Sequence, residues 1–182
     1  MDKMKWLFIA LPIFIIIFLI NSSQQSKLGS NSDQIFEIDK EDVFIIDISK
    51  ADQIISLLFD GQSWSIKGND TLIVKENSID GFFNNVLKVK RTSMVSKNKN
   101  NWDKFNVGDS TGTHLTIRDY NKKVLSKIIV GSSNSEWSSS NIRVNDEIEV
   151  YQTNENISWQ LNTSPTYWGE VPKIDSTSTD SL

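Results

Sequence analysis

The sequence reads as an α+β chain, with a predominantly antiparallel β-sheet, one main packed helix and a single N-terminal transmembrane helix ahead of them. Three features carry this reading. Short runs of β-branched and aromatic residues recur between positions 35 and 151, broken by turn-forming pairs such as Asp60-Gly61 and Asn145-Asp146. One window, Asn77 to Arg91, switches to helical spacing. Near the start, the fifteen residues from Trp6 to Ile20 carry no charge.

The apolar run sets the organisation of the chain. Fifteen helical residues reach about 22 Å, short of the roughly 30 Å hydrocarbon core, but the neutral residues Asn21 to Ser23 extend the span by nearly a turn. Trp6 suits the headgroup zone, Pro12 is tolerated inside a membrane helix, and Ile20 closes the run. The residues after Ile20 make a poor small-x-small cleavage site, because Ser22 at −1 sets Ile20 at −3. A retained anchor is therefore expected, with a cleaved signal peptide or a buried core helix as alternatives. Lys3 and Lys5 before the run keep the N-terminus cytoplasmic. The expected divisions are a cytoplasmic N-terminus at 1–5, a transmembrane anchor at 6–23 and a polar stalk at 24–34. An extracytoplasmic α+β domain at 35–172 and a disordered tail at 173–182 follow.

Within the domain, strands are expected at "IFEI" (35–38), "VFIIDI" (43–48), "IISLLF" (54–59), "SWSIK" (63–67) and "TLIVK" (71–75). Asp60-Gly61 and Gly68-Asn69-Asp70 supply the turns of a meander. In "NSIDGFFNNVLKVKR" the residues Ile79, Phe82, Phe83, Val86, Leu87 and Val89 form one apolar face, with Asn77 or Ser78 placed to cap the start. Lys88, Lys90, Arg91, Lys97 and Lys99 are assigned to a solvated helix end and loop. Strand signals resume at "THLTIRD", "KVLSKIIVG", "NIRVN" and "EIEVY", with turns at Tyr120-Asn121 and Asn145-Asp146 that favour antiparallel pairing.

Composition excludes several functions. The net charge of −4, without a basic stripe, is unlike a nucleic-acid-binding surface. Absence of cysteine removes disulfides, thiolate metal sites and a lipid-accepting cysteine. One histidine, His114, alternates with Leu115 and Ile117 and is expected to face solvent rather than serve a Ser-His-Asp set; no Gly-x-Ser-x-Gly sequence accompanies it. The acidic clusters Asp39 to Asp42 and Asp146 to Glu149 lack the ligand spacing and glycine of a calcium loop. No phosphate-binding glycine motif occurs. No catalytic, cofactor-binding or metal set is therefore expected. Of the tryptophans after the apolar run, Trp64 is the core candidate through its alternation with Ile66. Trp137, inside "SSNSEWSSS", is the candidate contact for a protein partner or a glycan.

The order of the pieces resembles the bacterial domain of unknown function DUF4340, a family of membrane-anchored extracytoplasmic proteins. "FDGQSWSIKGND" followed by "ENSIDGFFNNVLKVKRTSMVS" is similar to the family's Gly-x-x-Trp strand, helix and short strand. "KFNVGDSTGTHLTIRDYNKKVLSKIIVG" resembles its aromatic-glycine segment and hairpin ending in Ile-Gly, and "NIRVNDEIEVYQTN" its closing hairpin ending in Val-Tyr. The departure is Phe105-Asn106-Val107-Gly108, where the family sets glycine directly after the aromatic residue; Val107 is expected to keep the anchoring role. The resemblance implies companionship with ABC-type transporter components and supplies no catalytic residues. The resulting expectation is a non-enzymatic accessory or scaffold domain, single-pass in the inner (cytoplasmic) membrane of a bacterium, with its C-terminal domain outside the cytoplasm. Its expected partners are the lipid bilayer and ABC-type transporter subunits. The rival readings are a glycan- or peptidoglycan-binding module using exposed tryptophans and, third, an exported hydrolase.

Overall fold

A computed structural model describes residues 33–133 and 136–172 of the chain. The expected anchor with Trp6, Pro12 and Ile20, most of the stalk and the 173–182 tail lie outside the described residues. Among the described residues no helix is long and apolar enough to cross a membrane.

The first three strands are β1 (Ile45–Lys50), β2 (Gln53–Phe59) and β3 (Trp64–Ile66), and they form the expected meander. β4 (Ile73–Val74) leaves it and leads into α1 (Glu76–Gly81), whose helix continues through a wider π-helical turn at Phe82–Val86. Then come β5 (Arg91–Ser96), β6 (Thr113–Arg118), β7 (Val124–Ser132), β8 (Ser140–Val144) and β9 (Val150–Thr153). A single helical turn, α2 (Pro165–Trp168), and β10 (Gly169–Glu170) finish the domain. Eight strands form one sheet in the order β3-β2-β1-β6-β7-β8-β9-β5, and every neighbouring pair is antiparallel. β4 pairs separately with β10.

Alternation within the strands makes one sheet face apolar. Ile46, Ile48, Ile55, Leu57, Ile66, Leu115, Ile117, Ile128, Val130, Ile142 and Val144 all point to the same core, as their registers require. Over them lie Ile79, Phe82, Phe83 and Val86 of the helix, Ile35, Phe36 and Val43 of the entering chain, and Ile157, Leu161 and Trp168 of the closing chain.

Several expectations change. Residues 35–38 form no strand; Ile35 and Phe36 are buried in the helix-side layer, and only Gln34 makes a bridge, to Lys90. Neither Asn77 nor Ser78 caps the helix. The helix begins at Glu76, which puts both inside its first turn and Lys75 at the cap without a side-chain bond, and the Ser78 hydroxyl donates to Tyr167 O at 3.1 Å. The expected long α-helix widens after Gly81, and the 3.2 Å bond from Leu87 N to Phe82 O marks the π geometry. Val89 stays buried, though beyond the helix. Arg91 belongs to strand β5 rather than to a solvated loop: it pairs with Glu147 at 3.2 Å and lies over the Tyr151 ring. β9 begins only at Val150, so five residues rather than two join it to β8.

The connection from β5 to β6 explains the opposite face. β5 lies at the sheet edge beyond β9, whereas β6 lies in the middle, so residues 97–112 cross over β9, β8 and β7. This strap buries Val107 against Ile129 and Val150, with Val95, Trp102 and Phe105 around them. Val107 thus anchors as expected. Gly131 permits the close approach, since a Cβ there would run into the backbone carbonyls of Phe105 and Asn106. Arg143 of β8 holds the strap: its guanidinium carbon is 3.6 Å from the Trp102 ring centroid, its Nε donates to Val107 O at 3.3 Å and its Nη2 pairs with Asp109 at 2.6 Å.

Trp168 is fully buried and its Nε1 donates to Asn162 O at 2.7 Å. Trp168→Ala is expected to cost about 3–5 kcal/mol, read as a lower denaturant midpoint. In the β2-β3 turn, Asp60 accepts backbone bonds from Gln62 and Ser63, both at 2.8 Å. The Ser63 amide, then the Gln62 amide, holds its pKa below the ordinary 3.8. Because the folded value is depressed, this stabilisation is present above the unfolded pKa and lost as pH falls through the folded one. Asp60→Ala should therefore be less stable than the parent at neutral pH, with the gap closing as pH drops below about 3.8.

Candidate functional site

The sheet end where β7 passes to β8 and β9 runs out carries Trp137, the exposed aromatic side chain that the sequence singles out, together with one it does not. Trp137, between β7 and β8, is 94% exposed, and Trp159, after β9, is 61% exposed. Both stand on loops held from below. Ile157 and Leu161 are buried on either side of Trp159, so the segment is pinned at two points while the indole between them stays outside.

Asn156 joins the two loops. Its Nδ2 donates to Trp137 O at 2.9 Å, and its Oδ1 accepts from the Ser140 hydroxyl at 3.1 Å, the Ser158 amide at 3.1 Å and the Ser158 hydroxyl at 2.6 Å. Ser140 Oγ in turn accepts from Ile157 N at 3.0 Å. Thr153 Oγ1 accepts from Ser140 N at 2.8 Å and donates to Glu155 O at 2.6 Å. This network fixes the direction in which the Trp137 loop leaves the sheet. Beside it, a cavity of about 230 Å³ is lined by Lys50, Asn106, Thr111, Thr113, Ser132, Ser158 and Trp159. Hydroxyls, an amide and an ammonium face one indole there, which is a chemistry suited to polyols. Among the described residues, Ser139 Oγ and Gln160 Oε1 are buried near these loops without a hydrogen-bond partner.

Other concave surfaces are larger and less built. About 750 Å³ lies between the entering chain and the helix, lined by Phe36, Ile38, Lys40, Phe83, Leu87 and Lys88. About 530 Å³ lies beside Phe59, Trp64, Ile73 and Ile79. Trp64, the core candidate, is only half-buried: it stacks on Phe59 with ring centroids 5.2 Å apart and leans on Phe83 at 6.0 Å. The half of the opposite face that the strap leaves uncovered carries Ile45, Leu58 and the Arg118–Asp47 pair at 3.1 Å.

His114 does point away from the main core, but it is half-buried and its Nε2 lies 2.8 Å from Asp109 O, so the strap covers it. Asp39, Glu41 and Asp42 are exposed. In the second acidic cluster Asp146 is exposed in the turn, whereas Glu147 is half-buried on Arg91. Among the described residues no three His, Cys, Asp or Glu side chains group as a metal site would require. The Tyr167 hydroxyl has its pKa raised by burial.

Sequence reasoning found Trp137 through its polar neighbours and did not single out Trp159, which lies between Ile157 and Leu161. It also missed Asn156 and Arg143, which look like ordinary loop and strand residues until the pairing is known. The family model described as Domain of unknown function (DUF4340) matches residues 64–171, from β3 to just past β10. No curated protein and no solved structure matches the chain.

Removing the Asn156 bracket leaves the Ser140 and Ser158 hydroxyls and the Trp137 carbonyl to find other partners. Asn156→Ala is expected to destabilise by about 1–3 kcal/mol. Hydrogen exchange should rise in residues 136–140 while the β1–β6 pair keeps its protection.

Proposed function

The chain belongs to the DUF4340 family, and on that premise we propose that it is a non-enzymatic, membrane-anchored accessory or scaffold domain. The observation that carries the reading is the uncharged Trp6 to Ile20 run, with Lys3 and Lys5 before it and a short polar stretch after it. In this reading the run holds the protein in the inner membrane of a bacterium as a single pass, with the sheet domain outside the cytoplasm. The mechanism is geometric. Tethering confines the domain to a thin layer above the bilayer and raises its effective concentration for other components of that membrane. ABC-type transporter subunits are the proposed protein partners, and any ATP would be hydrolysed by them, since this chain has no phosphate-binding glycine motif.

A second reading is supported by the cavity beside Trp159. One exposed indole next to Lys50, Thr111, Thr113 and Ser158 is suited to stacking on a sugar ring while hydroxyls exchange hydrogen bonds. A glycan- or peptidoglycan-binding module would use these groups together with Trp137.

The readings separate on a membrane preparation. The scaffold reading expects the full chain in the carbonate-resistant membrane fraction and recovery of integral-membrane subunits with it after gentle solubilisation; a chain found in the soluble fraction, or recovered alone, counts against it. The glycan reading expects retention on cell-wall polysaccharide that falls at least several-fold in Trp159→Ala.

A further inference from the structure

We propose that the cavity beside Trp159 takes one acidic sugar ring, stacked on the indole, with the Lys50 ammonium recognising its carboxylate. This rests on the glycan reading above and narrows it to a ligand class.

The sheet places the polar groups. Lys50 ends β1 directly opposite Thr113, the first residue of β6, and Thr113 lies opposite Val130 of β7. Residues paired in this way are about 4.5–5.5 Å apart between Cα atoms. Both side chains leave the sheet on the face that carries Ile48 and Leu115 two residues further in, so they stand together at the open end of the main core. Trp159 shares the cavity wall, its segment fixed by buried Ile157 and Leu161.

What the cavity offers a ligand depends on which of its groups are already bonded. Thr111 Oγ1 accepts from Gly108 N at 3.1 Å and donates to Asp103 Oδ1 at 3.1 Å, so it is satisfied within the strap. The Ser158 hydroxyl gives its proton to Asn156 Oδ1 at 2.6 Å. Asn106 Nδ2 donates to Ser132 O at 3.3 Å and to Ser132 Oγ at 3.4 Å. Asn106 Oδ1 is left as an acceptor and the Ser132 hydroxyl proton as a donor.

Thr113 adds the group that points to a ligand. It is 5% exposed and lines the cavity, and among the described residues its hydroxyl has no hydrogen-bond partner. A hydroxyl so far from bulk water is costly to leave unpaired, and a sugar hydroxyl, which both donates and accepts, satisfies it.

Lys50 decides the charge of that sugar. Its side chain is exposed and, among the described residues, makes no ion pair, with Asp52 in the adjoining turn or with any other carboxylate. No carboxylate lines the cavity. An ammonium only donates, so its complement is an acceptor that carries charge, and one cation matches one negative charge on the ring. At about 230 Å³ the cavity is smaller than the roughly 300–1,000 Å³ of a drug-sized pocket. It therefore seats one ring, with the rest of a longer glycan outside.

Methyl glucuronide and methyl glucoside differ only in a carboxylate in place of a hydroxymethyl group and are the matched probes. Each is titrated at neutral pH into the full chain, held in a detergent without a sugar headgroup, and binding is read by ligand-observed NMR. The glucuronide is expected to bind about two- to fivefold more tightly than the glucoside. Lys50→Gln should bring that ratio to one, whereas Lys122→Gln, in the β6-β7 turn, should keep the parent ratio. Thr113→Val and Trp159→Ala should each weaken both sugars several-fold. A parent ratio of one or below, a ratio that survives Lys50→Gln, or one that Lys122→Gln also removes overturns the proposal. So does sugar binding that Thr113→Val or Trp159→Ala leaves untouched. Binding of neither sugar overturns the glycan reading and this inference with it, whereas binding of both with equal affinity overturns this inference alone.

Discussion

The position of β5 governs the rest of the domain. Pairing with β9 at one edge, while its sequence neighbours β4 and β6 lie elsewhere, obliges the chain to cross the sheet twice. The helix makes the outward crossing on one face and the 97–112 strap makes the return on the other. An antiparallel sheet of eight strands tolerates one solvated face, and here each crossing covers a face only as far as it runs. The helix layer, with the closing chain, buries the main core; the strap buries the smaller Val107, Ile129 and Val150 cluster. Where the strap does not reach, Ile45, Leu58 and the Arg118–Asp47 pair remain accessible.

The strap lies low because of the chemistry beneath it. Gly131 removes a Cβ at the point of closest approach, and Asn141 Nδ2 donates to Phe105 O at 3.1 Å. Arg143 gives the strap both a ring contact and an ion pair. Its side chain is only 8% exposed, whereas its partner Asp109 is 80% exposed, so the carboxylate keeps most of its hydration and the pair avoids the full penalty of burying two charges. The same strap reaches His114, whose Nε2 lies 2.8 Å from Asp109 O.

At the end of the sheet the same logic produces an outward-facing surface. Buried Ile157, Ser140 and Thr153 fix the loop stems, and Asn156 ties one loop to the other. The indoles of Trp137 and Trp159 lie outside these stems and are exposed.

The sequence by itself determined the class of fold, the β2-β3 and β6-β7 turns and most strands, because alternation with turn chemistry is a local property that each strand carries alone. It determined the apolar face of the helix for the same reason, and it marked Trp137 through the polarity of its neighbours. It misread residues 35–38, where Ile35 and Phe36 are buried without forming a strand, and it gave Trp159 no position. Only the tertiary structure decided that β5 lies beyond β9, that Arg143 and Gly131 serve the strap, and that Asn156 brings the two tryptophan loops together. These are pairings between segments distant in sequence, and a side chain's role in them depends on which backbone groups arrive beside it, which no local pattern encodes.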